Sequence, residues 1–281
     1  MCEFCVKHGE GKKWYLQARN YSEDLLSDAR RRTFIIDFLS DPDRLRKSVT
    51  QLDRFDRLPG FLRGAIGRLI SRKMKRSHFG QVVPIEDIEA IFGMVNSITR
   101  LACLCRSITL GQEKRYCYAV SLGPDGGRLE NIFDGLGKTF FGGPDGAGLE
   151  RLAREEALSA MKSHEREGLC HTVWTFETPF IAAICNCDRT DCLGLRSTLT
   201  HGVRVLFRSE YIATVDPDRC TGCRECMRLC QFGALSFSAA RKQVMIDKRL
   251  CYGCGVCRSG CSRGALSLVD RSTVPSVARL W

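Results

Sequence analysis

From Ser22 to Leu104 apolar residues recur at intervals of three and four, as in Leu25, Leu26 and Ala29 and then Ile35, Ile36, Phe38 and Leu39. That is the period of amphipathic helices. Breaks at Asp41-Pro42, Pro59-Gly60 and Val83-Pro84 cut the stretch into about four of them. The third, Phe61 to Arg76, sets Leu62, Ile66, Leu69 and Ile70 against Arg68, Arg72, Lys75 and Arg76. Such a pattern suits an ordinary surface helix packed by one face, and also a helix that docks on a membrane surface or an acidic partner. Further on the rhythm changes. Nine of the 26 residues from Gly123 to Gly148 are glycine, which predicts a long loop. Within it GLGKT at 135 to 139 resembles a phosphate loop, but Ile132 stands where glycine is needed and FFGGP follows where a helix is needed. Leu149 to Glu165 reads as a helix and Cys170 to Cys187 as extended chain. Tyr211 to Val215, Ala234 to Ser238, Val244 to Asp247 and Ala265 to Val269 are brief, β-branched or alternating, and predict two small antiparallel hairpins. The fold expected is α+β: a mostly helical N-terminal region over 1–100, a cysteine-rich module over 101–210, and a small C-terminal domain over 211–281.

Chemistry is concentrated in that last segment. At an offset of 31 residues, VDPDRCTGCRECMRLCQFGALS (Val215 to Ser236) lies over IDKRLCYGCGVCRSGCSRGALS (Ile246 to Ser267), and every cysteine falls on a cysteine. Each copy reads C-x2-C-x2-C-x3-C. Three thiolates at intervals of three on a tight loop wrap one set of irons, while the fourth points toward the neighbouring cluster. This spacing predicts two 4Fe-4S clusters, one held by Cys220, Cys223, Cys226 and Cys261, the other by Cys251, Cys254, Cys257 and Cys230. Glycines 222 and 253 are expected where the backbone passes close to inorganic sulfur. Structural zinc usually shows two separated C-x2-C pairs, and disulfides in so short a loop would be strained.

Nine of the 17 cysteines lie outside the repeat. Cys103, Cys105 and Cys117 form C-x-C-x11-C, Cys185, Cys187 and Cys192 form C-x-C-x4-C, and Cys2 and Cys5 open the chain. Each triplet is one ligand short of a closed four-coordinate site. The two triplets could meet each other, or one could be completed by Cys2 and Cys5; a third iron-sulfur cluster or zinc would then sit in the module. Cys170 reads as a buried small hydrophobe.

The repeat resembles the bacterial two-cluster ferredoxin domain over about a quarter of the chain, with Gln231 and Ser262 where proline usually follows the fourth cysteine. The stretch from Leu101 to Arg196, with CxCR, EEALSAMKSHEREGLCHTVW and ICNCD, is similar to the N-terminal part of a family of 4Fe-4S dicluster proteins of anaerobic bacteria and archaea. The resemblance implies a cysteine-rich module ahead of the ferredoxin domain and a role in electron transfer. Asp188 and Asp191 stand where it implies further cysteines.

Charge narrows the choice of partners. The net charge of +11 is concentrated at the two ends of the chain, which suits a redox partner with an acidic face, leaves membrane-surface contact open, and is too weak a signal for nucleic acid. No apolar run follows the basic start and none is long enough to span a bilayer, so the expectation is a reducing, cytoplasmic setting. Function follows from the thiols: an iron-sulfur electron-transfer protein or subunit rather than a stand-alone enzyme. The alternative is an iron-sulfur oxidoreductase whose cysteine-rich module leaves a coordination position open to substrate. No catalytic acid–base pair is legible.

Overall fold

The computed structural model describes residues 13–111, 114–135 and 148–280. Three helices come first: α1 (Ala29–Ser40), α2 (Pro42–Phe55) and α3 (Gly60–Ser77). Their bounds follow the expected punctuation. Asp28 caps α1 by accepting from the Arg30 amide at 2.9 Å, and Pro42 starts a new helix because it has no N–H to continue the old one.

Strands then interrupt the region read as helical. β1 (Gly80–Val82) precedes α4 (Ile85–Met94), and β2 (Ser97–Leu101) precedes α5 (Leu104–Leu110). Short apolar runs such as these carry no period that separates strand from helix, so tertiary pairing decides. β3 (Cys117–Ser121), α6 (Gly127–Gly135), β4 (Glu150–Arg151), α7 (Arg154–Arg166), β5 (Cys170–Thr175), β6 (Ile181–Cys187), α8 (Leu193–Leu199) and β7 (Leu206–Phe207) complete the unit. The strands form one sheet in the order β4-β2-β3-β6-β5-β1-β7, antiparallel except for the β1·β7 pair. The expected division at residue 100 falls inside β2 of this sheet. Helix α7 also starts five residues later than read, because Glu150–Arg151 pairs with β2. Part of the glycine-rich stretch is helix α6; residues 136–147, with most of GLGKT, lie outside the described residues, as do Cys2 and Cys5.

Strand alternation sorts the sheet into two faces. Tyr118, Val120, Val173 and Ile184 pack with Trp14, Ile91 and Met161 on one side. Cys117, Ala119, Cys170, Trp174, Ala182 and Cys187 face the other, under α1 and α8. The period of two therefore places the cysteines of β3, β5 and β6 on one surface.

The C-terminal unit comprises β8 (Tyr211–Val215), α9 (Glu225–Arg228), β9 (Leu235–Ser238), β10 (Gln243–Ile246) and β11 (Leu266–Asp270). β9 and β10 form a hairpin. β8 instead pairs with β11, joining the two ends of the unit rather than making the second hairpin expected. The architecture is α+β.

This unit is clamped onto the sheet unit. Arg258 grips Glu86 through both carboxylate oxygens, at 2.5 and 2.8 Å, and Ser259 Oγ donates to the Glu165 carbonyl at 3.1 Å. Gln231, in the place where proline is usual, donates to the Gly168 carbonyl at 2.7 Å and accepts from the Arg189 amide at 2.8 Å. Beneath the contact, Glu165 is buried and its Oε1 lies 3.8 Å from His171 Nε2. Burial raises its carboxyl from 4.5 to about 7, against the pull of Arg258. The folded state thus holds a proton that the unfolded chain releases near 4.5. Stability should fall by about 3 kcal/mol as pH rises from 4.5 through 7. Glu165→Gln should flatten that slope in urea melts across this range; an unchanged slope would clear Glu165 of the effect.

Candidate functional site

The repeated loops of the C-terminal unit gather their thiols in two sets. Cys220, Cys223, Cys226 and Cys261 line one small pocket walled by Val215, Val244 and Leu266. In the second set, burial and the neighbouring Cys251, Cys257 and Cys230 push the Cys254 thiol well above its ordinary range. The fourth cysteine of each copy therefore lies among the first three of the other. Backbone amides point at the thiols in matching places: Ala234 N donates to Cys230 Sγ and Ala265 N to Cys261 Sγ, both at 3.3 Å. Such donors stabilise thiolate and tune a bound cluster's potential.

Glycines 222 and 253 sit where the surrounding backbone leaves no room for a side chain. Both have φ near +70°. A Cβ at Gly253 would stand 2.0 Å from the Tyr211 carbonyl oxygen, and one at Gly222 would stand 2.5 Å from that of Lys242. Neighbouring backbone excludes a side chain at both.

The two other triplets meet each other. Cys103 precedes α5 and Cys105 lies in its first turn; Cys117 opens β3; Cys185 and Cys187 end β6; Cys192 precedes α8. Cys192 Sγ lies 3.1 Å from Cys187 Sγ, and Cys117 Sγ 3.5 Å from Cys185 Sγ. Hydrogen bonds from Cys105 and Cys117, with Arg106 adding its charge, hold the Cys103 thiol well below the usual range. Cys105 also contacts Cys192. The six thiols thus form a string, 187–192–105–103–117–185. Among the described residues no group of three or more His, Cys, Asp or Glu side chains is gathered tightly enough for a single metal ion.

Arg106, the residue after the C-x-C pair, organises this site. Its buried guanidinium donates to the Asn186 carbonyl at 3.2 Å and to Cys103 Sγ at 3.6 Å, pairs with Asp188, and lies 4.3 Å over the Tyr116 ring. Asp188, where the resemblance implies a cysteine, shapes the backbone instead. Its Oδ1 accepts from the amides of Thr190 at 2.9 Å and Asp191 at 2.6 Å, which turns the loop that delivers Cys192.

The thiol string lies close to the C-terminal unit. Cys170 is fully buried and pairs in register with Cys187. Cys230 and Cys254 pack against the core that holds both. One feature had no legible sequence signal. The string forms one wall of a cavity of about 590 Å³ whose other walls carry Phe38, Phe55, Met74, His78, Trp174 and Phe176. These residues come from several separate elements.

A family model described as a 4Fe-4S binding domain matches residues 213–236, the first copy of the repeat. The match supports ferredoxin-type iron-sulfur electron transfer. No curated protein matches the chain.

Proposed function

We propose that the chain relays single electrons through two 4Fe-4S clusters, and that the six thiols of the N-terminal module hold a third iron-sulfur group in line with them. The observation that carries this reading is the convergence of Cys103, Cys105, Cys117, Cys185, Cys187 and Cys192 onto one face of the sheet, next to Cys170 and Cys254. An all-thiolate donor set of six, beside the cysteines of the C-terminal unit, suits a further iron-sulfur group. In the C-terminal unit Cys220, Cys223, Cys226 and Cys261 fit one cubane, and Cys251, Cys254, Cys257 and Cys230 the other. A bound cluster supplies a one-electron couple. The protein's part is to hold thiolates, aim amides at sulfur, and exclude water with Val215, Val244 and Leu266. The basic ends favour an acidic redox partner, and docking to it should weaken with salt.

The cavity beside the thiols favours a second reading, an oxidoreductase whose substrate reaches the third group. Its polar lining is sparse, and among the described residues no acid–base pair stands in it. Electron transfer is therefore the reading preferred.

Iron and sulfide analysis after oxygen-free purification tests the count: about twelve irons are expected, four per cubane, against about eight if the module holds no cluster. Cys185→Ser should lower the count while leaving the ferredoxin EPR signals present. A wild-type chain with few or no irons would end the reading altogether.

A further inference from the structure

Helix α3 leaves its apolar residues uncovered. Phe61 is 77% exposed and Leu69 63%, and Leu62, Ile66 and Ile70 are exposed too, with Leu58 just before them. Six of the ten exposed large hydrophobic residues among the described ones thus lie within 13 positions. The helix also carries Arg63, Arg68, Arg72, Lys73, Lys75 and Arg76 and no acidic residue. Large apolar side chains standing in water on a helix with Arg68, Arg72, Lys73 and Arg76 and no acid match an anionic bilayer surface, where the cations meet headgroups and the apolar residues enter the acyl boundary. Nucleic acid would use the charge and leave Phe61 and Leu69 in water.

The patch continues inward. Ile70 is both exposed on α3 and part of the cavity lining, and Met74, one turn on, lies on the same path. A molecule dissolved in the bilayer would pass from the patch to the thiol wall without crossing a polar barrier at Ile70. Inside, the lining selects for a ring. His78 stacks on Trp174 at 5.1 Å and lies 4.5 Å from Phe38 and 4.9 Å from Phe176. Its Nδ1 sits 2.6 Å from the Thr175 carbonyl, which must accept from an Nδ1–H. In the neutral ring Nε2 then keeps its lone pair, an acceptor for a ligand hydroxyl. The volume suits a bicyclic ring with the start of a tail.

From these observations we propose that the cavity binds a lipid-soluble quinone and its reduced quinol, the quinol donating a hydroxyl to His78 Nε2, drawn from an anionic bilayer on which α3 lies. The inference rests on the helix and the cavity and not on what the six thiols hold. It concerns binding, and the iron content read in the same samples keeps it separate from the cluster count.

The test uses the full reconstituted chain, vesicles of phosphatidylglycerol mixed with phosphatidylcholine, and an isoprenoid-tailed naphthoquinone dissolved in them. The chain should cosediment with these vesicles but not with pure phosphatidylcholine, and added salt should release it. Leu69→Glu with Ile70→Glu should weaken cosedimentation roughly tenfold or more, at about 1 kcal/mol or more per charge. Loading the quinone should quench tryptophan fluorescence, and the quenched part should be missing in Trp174→Phe. Ser197→Phe, which fills the cavity from α8, should keep vesicle binding and iron content and lose the quenching. Quenching that survives Ser197→Phe would overturn the proposal. So would failure to cosediment, or binding to polyglutamate in place of vesicles, which would assign α3 to an acidic protein.

Discussion

Removing iron from the anaerobically purified chain should unfold residues 211–280 and leave the seven-stranded sheet standing. The C-terminal unit has a core of nine buried residues, three of which are the cysteines Cys226, Cys251 and Cys257. Its apolar remainder, chiefly Ile212, Val244, Leu266 and Val277, is too small to offset the chain entropy of some seventy residues. Metal binding in small structural sites contributes about 10–16 kcal/mol, as much as the entire stability of an ordinary domain. Without it, Cys226, Cys251 and Cys257 would stay buried with nothing to bind. Hydrogen exchange on chelated protein is the direct measure. Amides of β8, β9, β10 and β11 should exchange at unfolded-chain rates, while those of β3, β5 and β6 stay protected by the opposite core of Trp14, Tyr118, Ile184 and their neighbours. Protection of the β8·β11 pair in iron-free protein would show that the unit folds on its polypeptide alone.

The same contrast explains what could be read from the sequence. The two C-terminal sets of thiols could be picked out because their spacing is local: eleven residues carry four cysteines, and the pattern recurs at an offset of 31 residues. The outer helices were legible from their period and from Pro42 and Pro84. The sheet was not, since Gly80–Val82 and Glu150–Arg151 are strands only because partners distant in sequence lie beside them. The meeting of the two incomplete triplets stood open as one of two arrangements, and only the pairing of Cys117 with Cys185 across β3 and β6 brings them together. Gln231 illustrates the remaining difficulty. Seen as a departure from proline, it says nothing about the interface that its side chain makes with Gly168 and Arg189.

Arg106→Met should cost about 3–5 kcal/mol, the range for breaking a buried ion pair and leaving one partner behind. The guanidinium is only 3% exposed and Asp188 13%. Methionine fills much of the same volume, so the loss would report charge and hydrogen bonding rather than a cavity. Three things would fail together: the tie to Asp188, the bond to the Asn186 carbonyl between Cys185 and Cys187, and the contact with Cys103 Sγ. Arg106→Lys retains charge but lacks the planar fork, and should recover only part of the loss. Asp188→Asn keeps the Asx turn in shape and should cost less than Arg106→Met. Combining Asp188→Asn with Arg106→Met should cost less than the sum of the singles, because the carboxylate is no longer stranded. Denaturant melts of the chain give the energies. Alkylation of Cys103 in iron-free protein gives an independent readout, because loss of the neighbouring cation raises the thiol and should slow its reaction at neutral pH. Strictly additive costs in the double variant, or an unchanged alkylation rate in Arg106→Met, would show that Arg106 packs against the thiol string without organising it.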